Sequence, residues 1–488
     1  MSNDSLKSIT LHALSWSLVE AIGLQLMKFV TGIVLARLLF PEQFGLIAML
    51  YLFIAVANAL IESGFGAALI QKRNATLVDI CSIFYFNIAV GFAAAGLFYL
   101  ATPFIAAFYD QPTLAPIARA MSLIVVINSL GLIQGTILAR QIDFKTQTKV
   151  SLLAGGISGI IGIALAVAGF GVWSLAVQQI AASFFQTAFL WLFNPWRPSL
   201  LFSVQSLREM FGFGSRLLAS GLLNQVFDNL YYVVIGRLFS AASLGFFTCA
   251  MALADLPPRT LSGMVVKVTF PVFSTVQDDP PRLKRCLRKA FLFLVFANFP
   301  MMIGLAAIAH PLVVVLLTEK WSACVPYLQL LCVMGLLYPL HLINLNVLQA
   351  LGRSDLFLRL EIIKKILIVV NIIITWPYGI DAMIYGMIVF SCICYVLNSY
   401  YTGILIGYSI REQLRDSFAY LIMAGMMGAL VFLAGLFPFS SPVATLIVQI
   451  SIGTTSYVCL CRVFRLEAFM ETWKAVRTKA FLRGSPLV

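Results

Sequence analysis

Lys28 stands inside an apolar run that begins at Gly23 and continues past Ala36. Its ammonium could hold an anion, or it could be neutralised by a carboxylate. Glu20 lies two helical turns earlier on the same chain, and Asp228 is a second acidic residue inside an apolar run. Asp255 and Arg259 are spaced four apart, where opposite charges meet on a helix. Arg119 and Lys267 are further bases within apolar runs, with Glu62 near the end of another. An ionised side chain at mid-bilayer costs at least roughly 2.5–3.5 kcal/mol, so each of these should face a cavity or a partner. The amides Gln25, Asn224, Gln225 and Asn229 sit beside them in the chain. Such groups bind and exchange; nothing in their pattern places a nucleophile next to a base.

The elements that must position them are helices in lipid. The chain has 488 residues, 61% hydrophobic and only 11% charged, against about 25% charged in soluble domains. Apolar runs of about 20 residues recur from end to end, each long enough to span the hydrocarbon. Barrel strands would alternate over about ten residues and are excluded. The start, MSNDSLKSITLHALSW, lacks a basic cluster followed by a short apolar core and a cleavage site, so no signal peptide is expected. Fourteen spans are expected, at about 13–38, 43–64, 79–108, 114–139, 147–169, 171–193, 210–237, 243–272, 286–309, 322–350, 357–376, 379–406, 415–437 and 443–462. Pro41, Pro112, Gly169 to Gly171, Pro195, Pro198, Pro280, Pro281, Gly379, Pro438 and Pro442 mark the connections.

Basic residues set the orientation. The N-terminal tail, the even connections and the C-terminal tail hold nearly all the Lys and Arg outside the spans, with Lys364 and Lys365 counted in the tenth connection. The odd connections hold only Arg37, Arg237 and Lys320. Both termini are therefore expected in the cytoplasm. The net charge of +13 is mainly this topology signal, and no soluble basic face exists to bind nucleic acid. The tail from Arg462 to Phe481 carries Leu466, Phe469, Trp473, Val476 and Ala480 at helical spacing. It reads either as an interfacial helix or as a plain solvated tail.

An internal repeat is visible. LARLLFPEQFGLI places Arg37 eight residues before Gly45, and IGRLFSAASLGFF places Arg237 eight before Gly245. In the same register Gln25 meets Gln225 and Lys28 meets Asp228. ATPFIAAFY and AHPLVVVLL form a second echo, and each leads into LARQIDF or LQALGRSDLF. The expected fold is an all-α polytopic membrane protein of 14 transmembrane helices. Two six-helix lobes, 1–205 and 206–410, are related by a pseudo-twofold axis along the membrane normal. Residues 411–488 add two further helices and a basic tail.

Two readings of Lys28 stand at this stage. Either it pairs with Asp228 or Glu20 and pins the lobes, or it lines a cleft and meets an anionic substrate; an ion pair that opens for substrate satisfies both. Arg119 and Lys267 either snorkel to the interface or face the cleft. Pro257 and Pro258 between Asp255 and Arg259 predict a bent or locally unwound helix, so Arg259 reads as cavity-lining or as a salt bridge. Most mid-span amides, Asn58, Asn128, Gln134, Gln186, Asn344 and Asn398 among them, read as helix-to-helix hydrogen bonds. Three scattered histidines and nine cysteines, mostly within apolar runs, predict no metal site and no cofactor. No G-x-x-x-x-G-K-[ST] occurs, so no ATP hydrolysis is expected.

ARLLFPEQFGLIAM, SGFGAALIQK and LARQIDFK resemble the polysaccharide transporter branch of the multidrug/oligosaccharidyl-lipid/polysaccharide exporter superfamily, nearest its Wzx-type repeat-unit flippases. The resemblance covers nearly the whole chain, most clearly residues 10–270. It implies a two-lobed V-shaped bundle in the bacterial inner membrane that flips a polyprenyl-diphosphate-linked oligosaccharide by alternating access. It implies membrane lipids, a polysaccharide polymerase and a chain-length regulator as partners. The mixed sign of the intramembrane charge departs from a simple cationic pocket. A small-molecule exporter of the same superfamily and a membrane polymerase or acyltransferase are the alternatives.

Overall fold

The computed structural model describes residues 3–62, 64–72, 74–437 and 441–474. Pro438, Val476 and Ala480 lie outside them. Among the described residues the chain is all helical, without a strand. It divides into two compact units, Met1–Gly245 and Phe246–Val488.

The first unit holds α1 (Asn3–Leu38), α2 (Pro41–Met49), α3 (Tyr51–Glu62), α4 (Phe65–Gln71), α5 (Leu77–Phe108), α6 (Leu114–Arg140), α7 (Phe144–Val167), α8 (Val172–Phe193), α9 (Val204–Asp228) and α10 (Leu230–Leu238). Helix α11 (Ala241–Thr275) begins there and runs on into the second unit. The second unit continues with α12 (Pro280–Ala307), α13 (Ala309–Leu317), α14 (Val325–Ala350), α15 (Ser354–Thr375), α16 (Ile380–Ile406), α17 (Ile410–Gly435) and α18 (Pro442–Val463).

Twelve helical stretches among the described residues are long and apolar enough to cross a membrane. Two expected spans are not among them. The stretch α9–α10 carries Arg208, Glu209, Arg216, Asp228 and Arg237, and α15 carries Asp355, Arg359, Glu361, Lys364 and Lys365. One expectation needs correction. Lys364 and Lys365 do not sit in a connection: α15 starts at Ser354, so Lys364 lies about 15 Å along it at 1.5 Å per residue. Lys364 pairs there with Glu361, one turn earlier.

Small residues set the packing of the first unit. A methyl at Gly155 would lie 2.9 Å from Met27 Sδ, and one at Gly159 would lie 2.8 Å from Thr31 Oγ1. Helix α7 therefore offers a glycine surface to the Met27–Thr31 face of α1, the close approach that lipid-embedded helices favour. At the corner between α3 and α4, Gly64 has φ +69°, and a methyl there would stand 2.4 Å from the Gly214 carbonyl oxygen of α9. Only a residue without Cβ suits both the left-handed backbone and that contact.

Three left-handed corners occur in the same order in both units. Asp110, Ile142 and Gly169 have φ of 52°, 60° and 85°; Thr318, Gly352 and Gly379 have φ of 84°, 69° and 97°. The middle pair share one hydrogen-bond pattern. Asp143 N–H donates to Leu138 O at 3.0 Å, and Arg353 N–H donates to Leu348 O at 3.0 Å. Both close the helix end by the six-to-one bond of a Schellman turn.

The core of the second unit gathers Leu283, Leu287, Phe291, Val295, Tyr408, Met423 and Met427 from α12, α17 and the turn between α16 and α17. Residues 467–474 are helical, and Leu466 and Phe469 are buried in the same core. Arg288 holds Asp416 at 2.8 Å and Glu467 at 2.9 Å, and Lys289 holds Glu471 at 2.8 Å. The start of the tail is thus docked on the protein by its apolar face.

Candidate functional site

A cavity of about 800 Å³ lies within the first unit. Helix α1 supplies Glu20, α3 supplies Asn58 and Glu62, and α6 supplies Asn128 and Thr136. Gln147 and Ser151 come from α7, Gln186 and Thr187 from α8, and Gln225 from α9. Leu132, Leu190, Leu217 and Leu218 provide apolar wall, and Gly135 and Gly221, where a methyl would meet nothing within 4 Å, leave the space open. No Lys, Arg or His is among the described residues that line it.

The polar groups are held, not loose. Ser151 Oγ donates to Glu20 Oε1 at 2.7 Å, and Gln186 Nε2 reaches Ser151 Oγ at 3.5 Å. Asn128 Nδ2 donates to Asn58 Oδ1 at 2.9 Å. That pair keeps one amide N–H2 on Asn58 and one carbonyl on Asn128 for a further partner. Among the described lining residues the cavity is therefore a mixed field of acceptors and amide donors with two carboxylates and no cation. It suits hydroxyl-rich or cationic guests and repels a phosphate.

Helix pair α9–α10 closes one side of the cavity and is fastened at both ends to the rest of the first unit. Near its start, Lys72 Nζ bridges Asp79 at 3.0 Å and Glu209 at 3.2 Å. The hydrogen bond that Lys72 donates to Asp79, with Glu209 adding to it, lifts the Lys72 ammonium above its ordinary range. At its far end Arg237 pairs with Asp110 and lies over the Phe108 ring at 5.6 Å. Glu209 and Arg237 are 28 residues apart, about 42 Å of helix.

The residues singled out from sequence divide. Glu20 and Gln225 line the cavity. Lys28 and Gln25 share an exposed face of α1, turned away from α7. Lys28 makes no ion pair among the described residues, so the bond to Glu20 or Asp228 is not formed; Glu20 bonds Ser151 instead. Asn224 and Asp228 are exposed on α9. Asn229 interrupts α9 and α10, with its side chain returning to the Gln225 carbonyl at 2.8 Å. Arg119 lies over the Tyr99 ring at 5.5 Å and donates to Thr102 Oγ1 at 3.3 Å. In the second unit Arg259 pairs with Asp255 at 2.9 Å and stacks on Tyr338 at 5.7 Å. Helix α11 stays helical through Pro257, Pro258 and Pro271 instead of unwinding. The discontinuity beside charge is at Asn229.

Sequence reasoning expected Asn344 and Asn398 to bond between helices, as they do in a buried polar chain of the second unit. It missed their partners Gln413, Tyr395, His341 and Ser391, and Gln147 and Ser151 in the cavity. In the second unit Asn344 and Gln413 exchange two hydrogen bonds of 3.1 Å, and Tyr395 donates to Gln413 at 2.9 Å. His341 meets Ser391 at 2.9 Å and Asn398 at 3.4 Å. No spacing rule links these residues, so only packing reveals them.

The model of a family described as polysaccharide biosynthesis protein matches residues 34–326. The chain belongs to that family. Among its relatives, the lipopolysaccharide biosynthesis protein WzxC of Escherichia coli K12 is 27% identical over 376 residues, 76% of each chain. The succinoglycan biosynthesis transport protein ExoT of Rhizobium meliloti is 26% identical over 92% of this chain and 90% of its own. In fold, this polysaccharide biosynthesis protein resembles the lipid II flippase MurJ in an inward closed conformation. The TM-score is 0.75 at 13% identity, over 92% of this chain and 98% of that one. A multidrug resistance transporter of the MATE family and MOP superfamily, inward-facing, aligns with TM-score 0.62 at 16% identity, over 78% and 95%. The fold is that of a multi-pass helical membrane protein.

Proposed function

We propose that this chain flips a polyprenyl-diphosphate-linked oligosaccharide from the cytoplasmic to the periplasmic leaflet of the bacterial inner membrane, by alternating access, for exopolysaccharide or lipopolysaccharide synthesis. The observation that carries the reading is the polar cavity of the first unit, inside a multi-pass protein of the polysaccharide biosynthesis family. Drawn through hydrocarbon, the polar head of such a lipid would lose its hydration at a prohibitive cost. A cavity that replaces water with fixed hydrogen-bond partners removes that barrier while the tail stays in lipid.

The two charged stretches α9–α10 and α15 complete fourteen spans in this reading. The matched left-handed corners support two six-helix lobes, 1–205 and 206–410, with residues 411–488 added. Both termini face the cytoplasm. Lys28 and Arg259 serve the diphosphate, with Arg119 as an auxiliary base and Asp228 and Asp255 as its counter-charges. Asn224, Asn229 and Gln25 complete the polar path. The chain carries no catalysis; a polymerase and a chain-length regulator act on the exported unit.

One observation favours a second reading, a cation exporter: the cavity holds Glu20 and Glu62, with no base among its described lining residues. Deleting the gene separates the two. Loss of surface polysaccharide with cytoplasmic-leaflet repeat units accumulating, restored by the wild-type chain, is expected. Intact polysaccharide with raised sensitivity to cationic drugs would overturn the flippase reading.

A further inference from the structure

A flippase for a diphosphate lipid should not place its anion between two uncompensated carboxylates. Yet the cavity carries Glu20 and Glu62 and no Lys, Arg or His among its described lining residues. The amides that share it are a sugar's complement. A pyranose presents hydroxyls that both donate and accept, and carboxylates with carboxamides are the side chains that answer both roles. Glu20 commits one oxygen to Ser151 and keeps the other. Asn58 and Asn128, bonded to each other, keep one donor group and one acceptor. Gln186 and Gln225 approach from α8 and α9. No Trp, Tyr or Phe is among the described residues that line the space. About 800 Å³ is within the range of sites that enclose a small ligand.

We infer that this cavity is the sugar subsite of the transporter, that it takes an uncharged sugar, and that the diphosphate is held outside it. The inference rests on the flippase reading. A uronic acid in the same place would set a third carboxylate beside Glu20 and Glu62 without a counter-charge.

The test uses the purified full chain and three probes: undecaprenyl diphosphate, the same lipid bearing one glucose, and the same lipid bearing one glucuronic acid. The sugars differ only at the C6 carboxylate. The wild type is expected to bind the glucose probe at least tenfold more tightly than either other probe. Glu20→Gln combined with Glu62→Gln should erase the preference for glucose over glucuronic acid and leave the affinity for bare diphosphate unchanged. Gln225→Ala, on a different helix, should weaken the glucose probe alone. Equal wild-type affinity for the two sugar probes would overturn the inference, as would loss of bare-diphosphate binding in the double variant. If the wild type binds none of the three, the flippase reading falls first and the subsite with it.

Discussion

Gly45 and Gly245 make reciprocal backbone contacts: a methyl on Gly45 would stand 1.7 Å from the Ala241 carbonyl oxygen, and one on Gly245 would stand 1.9 Å from the Pro41 carbonyl oxygen. Each glycine sits on the other's helix start, α2 against the first turn of α11. Neither oxygen belongs to a flexible side chain, so a side chain at either glycine must push the helices apart. Gly45→Ala and Gly245→Ala are each expected to lower stability by about 1–3 kcal/mol or more. Thermal unfolding in detergent checks this, and the double variant should cost little more than either single one because one separation relieves both contacts. Unchanged midpoints would refute the contact.

The two fastenings of α9–α10 predict opposite accessibility changes. Arg237 and Asp110 are exposed, so their pair contributes at most about 1 kcal/mol. That energy changes an opening equilibrium by about fivefold. A Leu218→Cys reporter in the cavity wall should react about fivefold faster with an impermeant maleimide added from outside when Arg237 is changed to Gln. Lys72→Gln should raise reactivity from the cytoplasmic side instead. Exchanging the charges, Asp110→Arg with Arg237→Asp, should restore the slow outside rate.

Ile142 is a β-branched residue at φ 60°, where the corresponding corner of the second unit has Gly352. A left-handed backbone costs an L-residue roughly 1–2 kcal/mol. Ile142 is exposed, so its side chain packs little. Ile142→Gly is expected to raise the unfolding temperature, and Gly352→Ile to lower it. A drop for the first variant would show that the side chain matters more than the backbone.

Gln413 is fully buried and bonded to Asn344, Tyr395 and the Tyr408 carbonyl. Gln413→Leu strands these partners and should cost about 1–3 kcal/mol. Adding Asn344→Leu should recover part of that loss, because the stranded amide goes with it. A denaturation series on the single and double variants reads both.

How much of this was visible in the chain follows from what each feature depends on. Spans and corners depend on local composition: Pro41, Gly169 and Gly379 punctuate the runs because lipid punishes an open backbone wherever it occurs. The echo of Arg37–Gly45 in Arg237–Gly245 was legible because both glycines answer the same contact. Counting bases misread Lys364 and Lys365, since a charge adds to the loop count even when it lies inside a helix and pairs with Glu361. Glu20 and Gln225 were found from their positions on α1 and α9. Gln147, Ser151 and Gln413 were not, because polar residues converge from distant helices only when the helices pack. Which way Lys28 faces was not legible either: the glycines of α7 draw the Met27–Thr31 side of α1 inward and leave Lys28 exposed, and that depends on the packing partner and not on α1 alone.

The most direct measurement places the purified protein in vesicles holding a fluorescent polyprenyl-diphosphate oligosaccharide in both leaflets, then adds an impermeant quencher. Flipping exposes the inner pool, so fluorescence should fall towards zero with the protein and stop near half without it. A plateau near half in vesicles containing well-folded wild-type protein, under every ion gradient applied, would contradict the account.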